Sequence, residues 1–246
     1  MLKRQWVKFF AEGSAQERDL LGGKGANLAE MVGLGLPVPP GFTITVEACR
    51  SYLYSGGEIP AGLWDEVAAG IAGIEEQTGR RFGDPENPLL VSVRSGAKFS
   101  MPGMMDTVLN VGLNAAAAAG LAALTNERFA LDSYRRLIQM FGKVVLDIDG
   151  HVFEDEINTV KKSVGAASDQ ELDSAALRSL IRQYESALAE HEVAFPRDPW
   201  EQLHQTVEAV FRSWNTTRAK SYRQANSIPH DLGTAVNVQA LSLIHI

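Results

Sequence analysis

The fold is decided by the stretch Ser92-Val93-Arg94-Ser95-Gly96-Ala97-Lys98-Phe99-Ser100-Met101-Pro102-Gly103-Met104-Met105-Asp106-Thr107. It lies between two apolar segments, residues 89–93 and 107–111, whose composition predicts buried strands. In α/β sheets, ligands usually contact the loop that begins where a buried strand ends. The stretch therefore predicts two strands joined by a binding loop.

This loop is rich in groups that bind phosphate. Arg94 carries a permanent cation with a planar fork of donors that matches phosphate oxygens. Ser95, Gly96, Ser100 and Gly103 make the loop flexible and rich in hydrogen-bond donors. We therefore predict that the loop folds over the phosphates of a ligand.

The same loop contains three methionines, Met101, Met104 and Met105, which are unusual for a surface turn. Soft, unbranched side chains suit packing on a flat base or in an adaptable lid. The alternative is a hairpin-like connection whose methionines enter the core. The residues alone leave both interpretations open.

A second glycine-rich stretch, Leu21-Gly22-Gly23-Lys24-Gly25-Ala26-Asn27, leads into a predicted helix over residues 25–32. Glycines let a backbone approach an oxyanion closely, and the free N–H groups of a helix start point at the same place. Lys24 adds a movable cation. The stretch lacks the Walker A pattern, so a glycine-rich helix entry with a solvated lysine remains the alternative.

Composition limits the classes of function. The 246 residues carry a net charge of −7 and no run of five like charges, which argues against nucleic-acid binding. The single cysteine, Cys49, excludes an internal disulfide framework and fits a reducing cytoplasm. None of the five histidines has a partner at metal-ligand spacing. The longest apolar stretch, residues 115–124, is about half of what a membrane span needs, so we expect no membrane segment.

Periodicity predicts a mixed α/β part followed by helices and a last strand. Strands are predicted at residues 6–10, 41–45, 89–93, 107–111 and 234–238, and helices at 25–32, 46–54, 61–78, 115–124 and 132–141. Further helices are predicted to start at the capping box Ser168-Asp169-Gln170-Glu171 and at Asp198-Pro199. We predict a first α/β part at 1–113, a helical insertion subdomain at 114–226, and a strand returning to the sheet at 227–239.

Both glycine-rich stretches resemble those of the phosphoenolpyruvate-forming dikinases. Residues 22–31 and 35–42 are similar to the start of that family, and 93–97 with 100–110 resemble the pyruvate, phosphate dikinases in particular. Residues 132–142 and 226–239 agree, so the resemblance runs from about Trp6 to Gln239. The pyruvate, water dikinases usually have a more acidic stretch after the arginine-serine pair; they remain an alternative, as does a non-catalytic nucleotide-binding module.

The resemblance implies an α/β (α+β) fold that contains an incomplete ATP-grasp-type nucleotide-binding domain. The family converts ATP, inorganic phosphate and pyruvate to AMP, pyrophosphate and phosphoenolpyruvate. It uses magnesium and a phosphohistidine carried on a mobile central domain. A cytoplasmic location and a homodimeric parent are expected.

The resemblance also implies which residues bind ATP. Lys24 and Arg94 match the family's phosphate-contacting cations, residues 101–107 match its cover over the nucleotide, and Gln239 ends the strand that leads to the adenine pocket. The implied binding residues are Lys24, Arg94, Ser95, Gly96, Met101, Gly103, Met104, Met105, Thr107 and Gln239.

Residues 240–246, Ala-Leu-Ser-Leu-Ile-His-Ile, depart from the family pattern. We expect this segment to be a non-native tail and the chain to be a truncated fragment. The alternative is a genuine divergent tail, and the underlying DNA sequence would decide between the two. The chain has no phospho-carrier histidine motif and no matched metal carboxylates, and the pyruvate-binding barrel is missing. We therefore expect no turnover, assign no catalytic residue and no metal ligand, and expect the Mg²⁺ ligands in the missing region.

Overall fold

The structure is a computed structural model that describes residues 5–103 and 107–241. Met104 and Met105, two predicted site residues, lie outside the described residues. Within those residues the elements follow in the order β1 (Val7–Phe9), α1 (Arg18–Gly33), β2 (Gly41–Ile44), α2 (Val46–Tyr54), α3 (Leu63–Thr78), β3 (Arg81–Phe82), β4 (Pro88–Leu89), β5 (Val91–Gly96), β6 (Thr107–Val111), α4 (Ala115–Leu124), α5 (Glu127–Val144), α6 (Gly150–Val164), α7 (Ser174–Glu190), α8 (Pro199–Ser213), α9 (Thr217–Ala225) and β7 (Ala235–Ala240).

The chain divides into two compact units. The first comprises Met1–Gly79, Val91–Thr107 and Val207–Ile246, and the second comprises Arg80–Leu90 and Val108–Thr206. β6 and α8 each begin in one unit and end in the other. No helix of the described residues is both long and apolar enough to cross a membrane.

An antiparallel sheet forms the centre of the first unit, with the strand order β1-β2-β7-β5. The last strand in the sequence, β7, thus lies between β2 and β5. Val238 of β7 is paired with Phe42 on one side and Val93 on the other, and all three are fully buried. Side chains alternate between the two faces of a strand, so the residues at the neighbouring register position lie on the other face. These residues, Thr43, Asn237 and Arg94, are called the polar row.

α3 packs on the apolar face of this sheet because it presents small residues there. A Cβ atom at Gly70 would lie 2.6 Å from the ring of Phe42, and one at Gly73 would lie 2.7 Å from the ring of Phe9. The rings of Phe9 and Phe42 meet edge to face at 6.3 Å. The glycines of α3 therefore allow the helix to approach these aromatic side chains closely.

The second unit is mostly helical, with β3 and β4 as a short parallel pair. Its core contains edge-to-face ring pairs, including Phe153 with Tyr184 at 5.0 Å and Phe141 with Phe195 at 5.3 Å. The fully buried Gln202 accepts from the N–H of Gly112 and donates to the carbonyls of Leu113 and Pro196. This glutamine satisfies backbone groups that would otherwise be buried without a partner.

The predicted mixed α/β (α+β) fold class is confirmed, and the sheet with its helices is consistent with an ATP-grasp-type domain. The predicted domain boundaries remain a prediction. β7 continues to Ala240, the first residue of the expected tail, where Ala240 pairs with Val91. Residues 242–246 lie outside the described residues.

Several predicted bounds agree with the structure, whereas others are wrong, among them the start of α1, which was predicted at Gly25 and lies at Arg18. α2, α4 and β6 have the predicted ends, and α8 begins at Pro199. The capping box at Ser168 does not start α7, because Leu172 is extended after a single 3₁₀ turn. Asp173 caps α7 instead, accepting a 2.8 Å hydrogen bond from the N–H of Ala176.

Candidate functional site

The two glycine-rich stretches are in direct contact. Gly22 interrupts α1 with φ 67° and ψ 173°, a conformation that is almost exclusive to glycine. A Cβ atom on Gly22 would lie 1.6 Å from the carbonyl oxygen of Gly96. Next to this contact, the N–H of Gly23 donates a 3.0 Å hydrogen bond to the carbonyl of Ala97. The start of α1 is therefore fixed to the end of β5.

A polar row crosses the sheet beneath α1 and consists of Thr43, Asn237 and Arg94. Asn237 of β7 is the register partner of Thr43 in β2 and of Arg94 in β5. Thr43 Oγ1 donates a 2.9 Å hydrogen bond to Asn237 Oδ1. A Cβ atom on Gly25 would lie within 3.0 Å of both Thr43 Oγ1 and Asn237 Oδ1. Only a glycine lets α1 lie this close to the row.

The position of the Lys24 side chain follows directly from this arrangement. It extends from α1 above Gly96, where a Cβ atom on Gly96 would lie 3.6 Å from Lys24 Cβ. Part of its side chain is exposed, yet burial by the surrounding atoms lowers the pKa of its ammonium group, and the nearby Arg94 guanidinium lowers it further. An anion placed between the two cations would relieve this repulsion.

A cleft of about 610 Å³ opens beside Lys24. Its lining comes from α1 and from the loop after β5: Arg18, Gly23, Lys24, Asn27, Leu28, Met31, Ser95, Gly96, Ala97, Lys98, Phe99, Ser100, Met101, Pro102 and Gly103. The volume lies in the range of small-molecule sites. Leu28, Met31 and Phe99 give it an apolar part, whereas Lys24, Arg18 and Lys98 make it cationic.

The structure brings together most of the predicted residues that it describes. Lys24, Ser95, Gly96, Met101 and Gly103 all line the cleft, and Arg94 lies in the polar row beneath Lys24. Two predicted residues are placed elsewhere. Thr107 begins β6 and is not among the described lining residues, and neither is Gln239, whose Nε2 donates to the carbonyl of Pro39.

Sequence reasoning missed several lining residues on α1. Asn27, Leu28 and Met31 lie three, four and seven positions after Lys24, which places them on the same helix face. That spacing was visible in the sequence once residues 25–32 were predicted to be helical. The helix actually begins earlier, at Arg18, whose Nη2 donates a 3.2 Å hydrogen bond to Asn27 Oδ1.

Asn237 was missed as well, and no local pattern around it signals a role. It is fully buried, and its Nδ2 has no partner among the described residues; the same is true of Arg94 Nε. Buried donors normally have a hydrogen-bond partner. Two donors without one next to Lys24 are compatible with an anionic ligand.

The described residues do not form a metal site. Residues 5–103 and 107–241 contain no group of three or more histidine, cysteine, aspartate or glutamate side chains that could hold a metal ion. Asp19, an acidic residue beside the cleft, pairs with Lys98 at 2.5 Å.

Cys49 is fully buried, and burial raises the pKa of its thiol to about 12, so it is not a nucleophile at neutral pH.

Comparison with known proteins shows which family the chain belongs to. The family described as "Pyruvate phosphate dikinase, AMP/ATP-binding domain" matches residues 18–61 and 56–243, which include both glycine-rich turns and the polar row. The chain belongs to the pyruvate phosphate dikinase family. The match also extends past Gln239 into the segment where we expected a foreign tail.

Individual pyruvate, phosphate dikinases are similar to almost the whole chain. Identity is 53% over 94% of the chain to the chloroplastic enzyme 1 of Zea mays, 50% over 96% to the enzyme of Clostridium symbiosum, and 52% over 96% to that of Rhizobium meliloti strain 1021. These matches cover 24%, 28% and 27% of the relatives. The chain thus spans about a quarter of the length of the dikinases it matches.

The contact between the turns predicts a strong effect of Gly22→Ala. The added Cβ atom would both strain the backbone and strike Gly96, so we expect the free energy of unfolding to fall by at least about 2 kcal/mol. Urea denaturation followed by circular dichroism measures this change.

Gly35→Ala is the matched control, because Gly35 also has a positive φ, of 74°, but nothing lies within 4 Å of the added atom. We expect it to cost about 1 kcal/mol. Equal losses for the two variants would show that the contact with Gly96 adds nothing to stability.

Proposed function

We propose that the chain binds ATP by its phosphates, as the nucleotide-binding part of a pyruvate, phosphate dikinase. The observation that carries the proposal is that Lys24 and Arg94 lie near each other where the two glycine-rich stretches meet. A cleft of about 610 Å³ opens beside them. Two like charges held together in a partly buried site are unfavourable without an anion. The family match supports the nucleotide as that anion.

In this proposal the phosphates lie in the cleft beside Lys24, close to the polar row. Arg94 Nε and Asn237 Nδ2 are two of the buried donors without a described partner, and Lys24 supplies a cation from α1. Backbone and side-chain donors of Ser95, Gly96 and the loop to Gly103 enclose the polyphosphate. Phosphoryl transfer depends mainly on such positioning and charge neutralisation rather than on covalent help from the protein.

The activity of the whole dikinase is part of the same proposal: ATP, phosphate and pyruvate give AMP, pyrophosphate and phosphoenolpyruvate through a phosphohistidine on another domain. The names of the relatives favour phosphate over water as the second acceptor. A homodimer, a cytoplasmic location and Mg²⁺ also remain proposals, and some relatives are described as chloroplastic. We assign Mg²⁺ to none of the described carboxylates.

The first prediction of this proposal concerns ATP binding by the 246-residue chain. Hydrogen bonds between charged groups contribute roughly 1.5–3 kcal/mol, so Lys24→Ala and Arg94→Ala should each weaken ATP binding about 10- to 100-fold. Isothermal titration calorimetry with ATP measures the change, and adenosine should bind much more weakly because it lacks the phosphates.

Lys162→Ala is the control for this experiment, since it removes an exposed lysine of α6 that lies outside the cleft lining. Its affinity for ATP should equal that of the unaltered chain. The proposal fails if Lys24→Ala and Arg94→Ala bind ATP as tightly as Lys162→Ala does.

The lowered pKa of Lys24 predicts a pH effect with a defined sign. At alkaline pH, part of the Lys24 population is neutral in the free chain, and bound phosphate would raise its pKa again. Binding should therefore take up a proton, and affinity should fall as pH rises. ATP is already fully ionised at such pH values and contributes no uptake.

Calorimetry in two buffers with different ionisation enthalpies measures this uptake. Lys24→Arg is the control, because a guanidinium stays protonated throughout the range. Uptake of the same size in Lys24→Arg would assign the proton to another group.

A third prediction separates the two halves of the dikinase reaction. The test needs a pyruvate, phosphate dikinase that is as long as the relatives and contains this sequence. In that enzyme, Arg94→Ala should slow the ATP half-reaction about 100-fold or more. Exchange of the phosphoryl group between phosphoenolpyruvate and the carrier histidine should be unchanged. Radiolabelled exchange assays follow each half separately, and an equal loss in both would contradict the role of Arg94.

A further inference from the structure

A compact cluster lies behind the loop that covers the cleft, and the proposed function does not use it. Its buried members are Ala97, Met101, Trp214 and Ala219. Ala97 and Met101 belong to the cleft lining, whereas Trp214 and Ala219 do not. The partly buried side chains of Leu53, Tyr222, Ile228 and Leu232 surround the cluster. Trp214 is thus packed against the rear of the loop.

Trp214 is held by Arg223 of α9 and by His230. The Arg223 guanidinium carbon lies 4.0 Å from the centre of the Trp214 ring, and Arg223 Nη1 donates a 2.5 Å hydrogen bond to the Trp214 carbonyl. The indole Nε1 donates to the His230 carbonyl at 2.8 Å. Both ends of the Trp214 residue, its backbone and its indole N–H, are therefore fixed.

The burial of Arg223 is unusual. It is fully buried, and the described residues form no ion pair with it. Its partners are two neutral acceptors, the Trp214 carbonyl and His230 Nδ1 at 3.1 Å, and one aromatic face. A buried cation without a carboxylate costs stability, so a smaller apolar residue would be the simpler solution for packing alone. Arg223 contacts Trp214 at both its ring and its backbone carbonyl.

The cluster is connected to the phosphate-binding groups through the loop backbone. Ala97 packs against the cluster, and its carbonyl accepts the hydrogen bond from Gly23, the residue before Lys24. Met101 packs against the cluster at the far end of the same loop. A displacement of the Trp214 ring would therefore reach both ends of the cover and the helix start that carries Lys24.

We propose that Arg223, acting through Trp214, is a positioning residue for the loop 97–103, and that it holds this loop in the conformation that binds the nucleotide phosphates. Neither side chain touches the nucleotide. Since the loop is ordered before the ligand arrives, binding does not have to supply the free energy of ordering it. The part that concerns ATP rests on the function proposed above, whereas the order of the loop can be measured without any nucleotide.

The test uses the 246-residue chain with Arg223→Met, which keeps an unbranched apolar stem and removes the guanidinium with its donors. Hydrogen–deuterium exchange should become faster in residues 97–103 of the free variant. ATP binding should weaken by about tenfold, the size expected when a preorganised loop must be ordered on binding. Arg223→Lys should restore neither property fully, because an ammonium group lacks the planar donor fork.

A second variant and two controls separate a local effect on the loop from a general loss of stability. His230 is exposed, so His230→Ala removes only the acceptor of Arg223 Nε and should accelerate exchange in the loop to a smaller extent. His151→Ala is its control, because His151 is 82% exposed and lies in the second unit. Phe153→Ala, a buried truncation in the second unit, controls for general loss of stability.

The outcomes are distinct. Faster exchange in 97–103 for Arg223→Met and His230→Ala, but not for His151→Ala or Phe153→Ala, supports the inference. Unchanged exchange in this loop, or equal acceleration in Phe153→Ala, overturns it. If the unaltered chain binds no ATP, the proposed function fails, and the exchange measurement still decides whether Arg223 positions the loop.

Discussion

Gly22 and the carbonyl group of Gly96 lie so close together that no side chain fits between them, and the candidate site depends on this contact. With the hydrogen bond from Gly23 to Ala97, it joins the start of α1 to the end of β5. Lys24 and Arg94 are brought together as a consequence, and the pKa of Lys24 is lowered by burial and, in addition, by the nearby Arg94 guanidinium. The folded chain thus holds two cations in a place where an anion would stabilise both.

The sheet turns this local contact into a fixed geometry. Asn237 reaches Thr43 on one neighbouring strand and is paired with Arg94 on the other, because β7 lies between β2 and β5. Residues separated by more than 140 positions in the sequence therefore form one row. The glycine at position 25 allows α1 to lie directly on that row. Rigid elements hold a binding group more accurately than loops do.

The cleft consequently has two sides. α1 lies on one side, next to the polar row, whereas the loop after β5 lies on the other. Met101 belongs to this loop, lines the cleft and also packs against Trp214. This methionine is therefore both a lining residue of the cleft and a member of the buried cluster.

The sequence by itself determined the mixed fold class, the two glycine-rich stretches, and Lys24 and Arg94 as their cations, because glycine conformations and strand periodicity are local properties that neighbouring residues encode. It also carried the spacing that places Asn27, Leu28 and Met31 on the face of Lys24. Only the tertiary structure decided that Asn237 lies against Gly25, that Gln239 instead binds the Pro39 carbonyl, and that Asp173 rather than Ser168 caps α7. Strand order and side-chain packing join residues far apart in the chain, and no local pattern records which distant partner a buried polar group will meet.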